Sequence, residues 1–339
     1  MNPKFSLVVS VYNVQAFLRE CLDSVLAQTF PDWEVMCIDD GSTDESGIIL
    51  DEYAANDVRF RVVHQRNAGV CAARNAALDL VTGEWVWFVD GDDAIHPDAL
   101  KFLSQVTEKY PSVPNVGLLS YVSSLGTYET FSRRQILGSE SQLFDQDPVL
   151  TSAYRTVRVA GWASIHRRAV IGKTRFQPYN IGEDVLFSLE VFWKDPRVVA
   201  TKANIYYYRQ RGGSLTNKRP SLRSVLDFLE TETKCLDLIR ANSLMWTRES
   251  FADLFDWMQE LDFYTFNWLM FRLYPKDIEK CIPLWLELLA ESGDMKPLRA
   301  RFRIFCALIK ICPNGRVAYI LVRYVDGMFR RLAKLIRRK

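Results

Sequence analysis

The first 110 residues alternate between short, continuous apolar runs and longer stretches with apolar residues at helical spacing. The runs are rich in β-branched and aromatic residues, as buried strands are, and they read FSLVVSVY, WEVMCID, FRVVH and WVWFVD. Each run is followed by a stretch with the period of an amphipathic helix, of which VQAFLRECLDSVLAQ is the first. Four strand–helix units in succession predict an α/β fold, in which helices cover both faces of a mostly parallel sheet.

Polar residues stand at the carboxyl ends of three of these predicted strands. They are Ser10, Tyr12 and Asn13 after the first strand, Asp39 and Asp40 after the second, and Asp90, Asp92 and Asp93 after the fourth. Ligands of open α/β sheets bind outside the carboxyl ends of the strands. The pattern therefore predicts a binding site at this edge of the sheet.

The alternation weakens beyond residue 111. Strands are predicted at NVGLLSYV, at TYETF and in IYYYRQRGGSLTN, where the strand runs into a basic loop containing glycine. NIGEDVLFSLEVFWKD predicts a helix that begins after a turn glycine and has two acidic residues in its first turn. After Pro220 the periodicity is almost entirely helical.

Composition is that of an ordinary globular protein, because 48% hydrophobic content over 339 residues can bury a sizeable core in two or three domains. The seven cysteines are scattered without a CxxC pair, which predicts reduced thiols in a cytosolic protein. The first residues lack the pattern of a signal peptide, so no export is expected. The most apolar stretch near the end, IFCALIKICPNGRVAYILV, is interrupted by charged residues and proline and is a poor spanning helix.

The last 41 residues carry a net positive charge, whereas the rest of the chain is net negative. Residues 299–339 contain twelve Lys or Arg and a single acidic residue, Asp326, whereas the preceding 298 residues sum to about −9. Apolar and basic positions interleave at near-helical spacing, which favours an amphipathic helix on an anionic membrane surface, with about 1 kcal/mol from each nearby basic residue. A helix packed on the protein with a solvated basic face, or a nucleic-acid contact, is the alternative.

The DGDD sequence that follows the fourth strand has the chemistry of a divalent-cation site. Carboxylate oxygens are hard ligands that suit Mg²⁺ or Mn²⁺, which take one or two protein carboxylates together with substrate phosphate and water. A solvated Asp-Gly turn is the alternative. The position beside a second acidic strand end, IDDGSTD, favours the cation site.

Four segments of the chain resemble the family 2 glycosyltransferases of the GT-A fold. These segments are VVSVYNVQAFLRECLDSVLAQTFPDWEVMCIDDGSTDESGIILDEYA, NAGVCAARNAALDLVTGEWVWFVDGDDAIHPDAL, GEDVLF and YYYRQRGGS. The resemblance extends over about residues 4–215. It implies a GT-A (Rossmann-like) domain over residues 1–218, with a nucleotide-binding half at 1–110 and an acceptor half at 111–218. A C-terminal helical region at 219–339, with the basic amphipathic tail at 299–339, lies beyond this domain.

The resemblance implies a nucleotide-sugar site at the strand ends. Ser10 and Tyr12 are expected near the base and ribose, and Asp40 is expected to accept a hydrogen bond from a uracil ring nitrogen. Further positions that the resemblance brings to the nucleotide are Asp39, Arg74 and Asn75. Each has a structural alternative, because an aromatic residue after a strand is often core and DGSTD can be a turn with a helix cap.

The same resemblance assigns the diphosphate contacts. Asp90 and Asp92 match the family's DxD motif, with Asp90 on the ribose or the metal and Asp92 on a Mn²⁺ or Mg²⁺ ion that bridges the diphosphate. Asp93 is expected to bind the donor sugar or to hold the loop. Arg209 and Arg211 can add cationic contacts to the phosphate oxygens, although an exposed basic loop is the alternative.

Asp184, the second acid of GED, is the expected catalytic base, which takes the proton of the acceptor hydroxyl. The alternative is that the acidic pair only complements the helix N-terminus, and both that position and a nearby cation are expected to lower the pKa of Asp184. Glu183 is expected to orient a sugar hydroxyl or a backbone group. Trp162, through an exposed ring face, and His166 are expected at the acceptor, with a surface histidine as the alternative.

The implied activity is inverting, metal-dependent transfer of a sugar from a nucleotide-diphosphate sugar, by default a UDP-sugar, to a hydroxyl of a glycan or of a polyprenyl-diphosphate-linked acceptor. Such a reaction belongs to capsule, exopolysaccharide or lipopolysaccharide synthesis. The enzyme is expected in the cytoplasm, peripherally bound to the inner face of the membrane, without a nucleic-acid partner. The alternative is a catalytically inactive nucleotide-binding scaffold. A dinucleotide-dependent oxidoreductase is excluded because VSVYNVQAF has no glycine after the first strand.

Overall fold

The computed structural model describes residues 2–123, 127–134, 136, 141–144, 160–210 and 220–241. The described residues up to 210 belong to one compact unit and residues 220–240 to a second, and each unit is described by itself. The helices predicted beyond residue 241 and the basic tail at 299–339 lie outside the described residues.

The strands that the structure describes in the first unit are short and all lie before residue 209. In the described residues they are β1 (Phe5–Val11), β2 (Trp33–Asp39), β3 (Phe60–His64), β4 (Trp85–Asp90), β5 (Ala94–Ile95), β6 (Asn115–Leu118), β7 (Val122–Ser123), β8 (Ser141–Phe144), β9 (Ser164–Arg167), β10 (Val198–Thr201) and β11 (Tyr206–Tyr208).

The helices follow the predicted alternation in the first half of the chain. The described helices are α1 (Gln15–Leu26), α2 (Ser46–Asn56), α3 (Val70–Leu80), α4 (Ala99–Lys109), α5 (Tyr128–Ser132), α6 (Arg168–Ile171), α7 (Glu183–Lys194) and α8 (Leu222–Ala241), with a 3-10 turn at Gly161–Ala163.

The main sheet has the strand order β3-β2-β1-β4-β9-β6-β10-β8. Its first four strands are mutually parallel, β9 runs antiparallel to both of its neighbours, β6 and β10 are parallel, and β8 is antiparallel to β10. The predicted α/β architecture with a mostly parallel sheet is therefore confirmed.

Alternate residues of the central strands serve opposite faces of the sheet, which explains why each strand is apolar throughout. Leu7 and Val9 of β1 lie in a buried cluster with side chains from α1, α2 and α4. Val8, between them, lies in a second cluster with side chains from α3 and α7. Helices thus cover both faces, as parallel sheets require.

A smaller sheet, ordered β5-β11-β7, stands at the carboxyl edge of the main one. β5 begins at Ala94, directly after the DGDD sequence, and pairs antiparallel with β11. This pairing brings a segment more than 100 residues away in sequence, including Arg209, back to the end of β4.

In the middle of the chain one prediction is wrong and one strand was not predicted. TYETF, predicted as a strand, begins a short helix, since the side chain of Thr127 accepts a hydrogen bond from the Thr130 N–H as a helix N-cap does. The stretch around residue 165, for which the sequence predicted no strand, contains β9. NVGLLSYV is a strand only over Asn115–Leu118 and again from Val122.

The second unit contributes α8, which confirms the helix predicted after Pro220. Arg223 and Asp227 form an i,i+4 ion pair on it, with 2.6 Å between Nε and Oδ1. In the part of the chain that the structure describes, no helix is long and apolar enough to cross a bilayer.

Candidate active site

The polar strand ends predicted from the sequence lie side by side. Ser10 of β1 is in register with Asp90 of β4, and Val11 is in register with Asp39 of β2. Gly91 allows the DGDD loop to pass close to β1, because a Cβ at this position would lie 3.1 Å from the Ser10 carbonyl oxygen. The strand ends thereby form one continuous acidic edge.

Asp93 is the anchor of the DGDD loop. Its side chain is 1% exposed and accepts hydrogen bonds from the Tyr206 hydroxyl and from the Arg209 backbone N–H, both at 2.7 Å. Burial, together with the charges of Asp90 and Asp92, raises the pKa of Asp93 to about 8. Of its two predicted roles, holding the loop is the one that these bonds describe.

Arg74 lies at the centre of three carboxylates. Its side chain, on α3, is 6% exposed; Nη2 donates to Asp90 Oδ1 at 3.1 Å, and Nη1 donates to Glu183 Oε1 at 3.4 Å. Burial alone would lower the pKa of Arg74, but Asp90, Glu183 and Asp184 raise it above its usual value. Arg74 therefore connects the end of β4 with the beginning of α7.

Gly161 lies against this arginine and also positions Asp184. A Cβ at Gly161 would lie 3.6 Å from the guanidinium carbon of Arg74. The Gly161 N–H donates to Asp184 Oδ2 at 3.3 Å, while the other oxygen accepts from the Val185 N–H at 3.0 Å. The 3-10 turn before β9 thus holds the carboxylate that was predicted to be the base.

The pKa of Asp184 shifts in the opposite direction to the prediction, and the pKa of its neighbour Glu183 is raised as well. Burial raises the pKa of Asp184, against the opposing charge of Arg74 and two backbone hydrogen bonds. Burial, followed by the charge of Asp184, raises the pKa of Glu183 to about 7. The helix N-terminus was expected to dominate, but removal from water has the larger effect. A raised pKa makes a carboxylate a stronger base.

Asp40 is buried and already supplied with donors. Its Oδ1 accepts from the Gln65 amide at 2.7 Å and from the Ala68 N–H at 2.8 Å, and Oδ2 accepts from the Gly69 N–H at 2.8 Å. In this structure Asp40 therefore holds the loop that leads into α3. The role predicted for it was to accept a hydrogen bond from a uracil ring nitrogen.

Asp39, also buried, bonds to a histidine that no sequence pattern had singled out for it. Asp39 Oδ1 accepts from the Ser42 N–H at 2.9 Å, and Oδ2 lies 2.9 Å from His64 Nδ1. The other ring nitrogen of His64 lies 3.0 Å from Asp51 Oδ1 on α2. His64 thus stands between two carboxylates, and these raise its pKa.

This arrangement predicts a pH-dependent contribution to stability. Because the folded-state pKa of His64 is raised, its stabilising effect is fully present below about pH 6.5 and is lost as pH rises through the folded-state value. His64 is 46% exposed, so solvent screening limits the effect to less than about 1 kcal/mol. Urea unfolding of the wild type and His64→Gln between pH 5.5 and 8.5 should show curves that converge at high pH. A difference independent of pH would contradict the assignment.

Tyr12 and Ser10, which were predicted near the base and ribose, lie at the carboxyl end of β1. Tyr12 is 49% exposed directly after β1, which leaves a ring face open for stacking. Ser10 is partly exposed at the same strand end. Both positions agree with a nucleotide pocket at the carboxyl edge.

Arg209, predicted as a phosphate contact, lies against the DGDD loop. Its Nε donates to the Asp92 carbonyl oxygen at 2.9 Å, and its Nη2 pairs with the Glu20 carboxylate of α1. The guanidinium lies over the ring of Phe17, 5.1 Å from the centroid. Glu20 carries no sequence signal for this role, because it is one of many helix carboxylates. Arg211 lies outside the described residues.

Trp162 and His166 differ from their predicted placements. The ring of Trp162 is buried and stacks on that of Tyr206, with centroids 4.5 Å apart and an interplanar angle of 12°, so the face expected to be exposed is covered. His166 is 1% exposed, its Nδ1 lies 2.7 Å from Asn115 Oδ1, and burial lowers its pKa to about 3. The surface reading of His166 is wrong, and its ring is part of the core.

Asn75 also has a different role from the predicted one. Its Nδ2 donates to the Phe176 carbonyl oxygen at 2.9 Å, and its Oδ1 accepts from the Phe176 N–H at 2.8 Å. Both ends of the amide are therefore used to tie α3 to the segment before α7, whereas Arg74, its neighbour, points into the acidic cluster.

The residues at the end of β4 fit a divalent cation by their chemistry. Asp90 and Asp92 supply hard oxygen ligands, and the repulsion that helps to raise the pKa of Asp93 is the kind that a cation relieves. Within the described residues, no group of three or more His, Cys, Asp or Glu side chains is arranged as a complete metal site. Substrate phosphate and water would have to complete the coordination.

The chain is similar to known proteins both in sequence and in structure. Residues 6–171 match the model of the family described as "Glycosyl transferase family 2". The chain is 32% identical over 225 residues to Glycosyltransferase GlyA of Streptococcus pneumoniae, covering 64% of this chain and 32% of GlyA. It is 31% identical over 223 residues to the uncharacterized glycosyltransferase EpsJ of Bacillus subtilis, covering 64% of each chain. The chain thus spans about a third of one relative and less than two thirds of the other.

Among solved structures, S. aureus TarS 1–349 in complex with UDP-GlcNAc is similar with a TM-score of 0.68 and 22% identity, covering 97% of this chain and 92% of that one. This likeness shows a shared fold and confirms the GT-A architecture that was expected from the sequence.

Proposed function

Residues 6–171 of this chain belong to glycosyl transferase family 2, and from that premise we propose that the protein is an inverting, metal-dependent glycosyltransferase that uses a nucleotide-diphosphate sugar. The observation that carries the proposal is the contact of Arg74 with Asp90 and Glu183. It puts the acidic end of β4, which suits the diphosphate and its cation, next to the first turn of α7. That turn holds carboxylates with raised pKa values.

In the proposed reaction Asp184 accepts the proton of the acceptor hydroxyl while the hydroxyl oxygen attacks the anomeric carbon. The new carbon–oxygen bond forms on the face opposite the nucleotide, and the bond from the anomeric carbon to the diphosphate oxygen breaks. The nucleoside diphosphate leaves with the bonding electron pair, so the configuration inverts. The raised pKa of Asp184 supports this role, because a base works best when its pKa approaches the working pH.

Asp90 and Asp92 would hold a Mn²⁺ or Mg²⁺ ion, which when bound stabilises negative charge on the departing diphosphate. Arg209 is proposed as a second cationic contact to the phosphates, because it lies against the carbonyl of Asp92. The exposed ring of Tyr12 is proposed to stack on the base. UDP is the proposed nucleotide, supported by the structure of TarS with UDP-GlcNAc.

The acceptor is proposed to be a hydroxyl of a glycan or of a lipid-linked oligosaccharide in polysaccharide synthesis. Residues 299–339, with their twelve basic side chains, are proposed to bind the anionic inner surface of the membrane. Co-sedimentation with anionic vesicles, compared between the full chain and one ending at residue 298, tests this binding. Equal sedimentation of the two would exclude the tail as the anchor.

The direct test of the proposed site is the metal dependence of nucleotide binding. Asp92→Asn removes one charged ligand, so the Kd for UDP in the presence of Mn²⁺ should rise at least about tenfold, since even outer-shell partners of a metal are worth that much. Titration calorimetry with and without Mn²⁺ measures it.

The matched control is Asp79→Asn, which removes an exposed carboxylate that pairs with Arg175 on the outside of α3. It should bind UDP as the wild type does. An unchanged, Mn²⁺-dependent Kd in Asp92→Asn would remove the metal assignment.

A further inference from the structure

Arg209 is held in place by several contacts. Only one of these contacts is with a carboxylate that lies outside the DGDD loop. Its backbone N–H donates to Asp93 Oδ1 at 2.7 Å and its Nε donates to the Asp92 carbonyl at 2.9 Å. These two bonds fix the base of the side chain to the acidic loop. The remaining charged contact is Nη2 with the carboxylate of Glu20.

Glu20 is well suited to give up this contact. Its side chain, on α1, is 39% exposed, so the carboxylate can return to water at little cost. In the part of the chain that the structure describes, its carboxylate accepts a hydrogen bond from Arg209 alone. The packing of α1 on the sheet does not depend on the Glu20–Arg209 ion pair, because the helix packs through other residues, such as the buried Leu18 and Leu22.

We infer that Glu20 competes with the diphosphate for the guanidinium of Arg209, and thereby sets the affinity for nucleoside diphosphates. The inference rests on the proposed function, in which Arg209 binds phosphate. A diphosphate carries more negative charge than one carboxylate and offers oxygens in the geometry that a guanidinium fork binds in pairs. The two bonds to the DGDD loop remain during the exchange, so only the terminal nitrogens change partner.

The exchange of Glu20 for diphosphate at Arg209 affects the release of the nucleoside diphosphate product as well as the binding of the donor. Because the Glu20 carboxylate stays close to the phosphates, it pairs with Arg209 again when the nucleoside diphosphate dissociates. This competition shortens the lifetime of the product complex. Glu20 would then lower affinity for every ligand with a diphosphate and leave affinity for the nucleoside unaffected. This difference separates competition at Arg209 from a general change in the pocket.

The experiment is a calorimetric titration of UDP and of uridine, each with Mn²⁺, into the wild type and variants. Glu20→Gln should lower the Kd for UDP about 2–5-fold, the range of an exposed charge pair, and leave uridine unchanged. Arg209→Gln should raise the Kd for UDP, and adding Glu20→Gln to it should change nothing further. Glu52→Gln, which removes an exposed carboxylate paired with Arg19, is the matched control and should equal the wild type.

Three outcomes would overturn the inference. A higher Kd for UDP in Glu20→Gln would mean that Glu20 positions Arg209 for the phosphate and does not compete. An unchanged Kd in both Glu20→Gln and Arg209→Gln would place Arg209 outside the phosphate site while the proposed function stands. Failure of the wild type to bind UDP, GDP or dTDP with Mn²⁺ would overturn the proposed function together with the inference.

Discussion

Asp184→Asn is expected to lower the rate of sugar transfer by about 10²–10⁴-fold, the usual contribution of a general base, while the Kd for UDP stays close to that of the wild type. The amide has nearly the shape of the carboxylate but cannot take a proton. Since Asp184 accepts from two backbone N–H groups, one of these bonds is lost, at a cost of about 0.5–1.5 kcal/mol of stability. Nucleotide release under saturating donor and acceptor measures the rate.

The pH profile of the wild type gives a second readout of the same carboxylate. Burial raises the pKa of Asp184, so the rate should fall on the acid side of a midpoint that lies above the ordinary range of aspartate. Asp195→Asn, at the other end of the same helix, should keep both the rate and the profile, because its partner is Arg197.

Two results would change the interpretation. Transfer at the normal rate by Asp184→Asn would place the base on another residue. Metal-dependent UDP binding by a wild type that neither transfers nor hydrolyses any donor sugar would favour the alternative of a catalytically inactive nucleotide-binding scaffold on the same fold.

Arg74→Met is expected to destabilise the protein by about 3–5 kcal/mol at pH 8, the typical cost of removing one partner from a buried charge network. Met keeps most of the volume of the side chain but leaves the carboxylates of Asp90 and Glu183 without the guanidinium that they share. Urea unfolding followed by tryptophan fluorescence measures the change in the free energy of unfolding.

The sign of the pH dependence distinguishes lost charge from lost packing. Without Arg74 the carboxylates of Glu183 and Asp184 have still higher pKa values, and they become neutral as pH falls. The loss of stability in Arg74→Met should therefore shrink between pH 8 and pH 5.5. Arg74→Lys, which keeps the charge, should be destabilised less than Arg74→Met at pH 8. A loss of the same size at both pH values would indicate packing alone.

The strand ends show how much of the site could be predicted from the sequence. The apolar runs and their polar ends follow from local chemistry, because a strand buried on both faces has to be apolar along its length and loses that constraint where it ends. The helical stretches follow in the same way, since one face of each helix has to cover the sheet. The sheet, the acidic edge at Asp90 and the acidic first turn at Asp184 were therefore predictable.

The roles of single side chains depended on neighbours that are distant in the sequence. His166 stands among basic residues, yet β9 carries it between β4 and β6, where its ring is buried. Trp162 is covered by Tyr206, and Asn75 is occupied by the backbone of Phe176, 101 residues away. Nothing in the local sequence encodes these contacts.

The sequence by itself determined the order of strands and helices in the first 110 residues, the similarity to a glycosyltransferase family and the edge at which the chemistry lies, because these depend on periodicity and on short motifs. Only the tertiary structure decided which carboxylate is buried, which arginine connects β4 to α7, and that the pKa of Asp184 rises where a helix N-terminus was expected to lower it. Desolvation and pairing depend on how much water the surrounding chain excludes, and segments separated by about a hundred residues have to pack together before that environment exists.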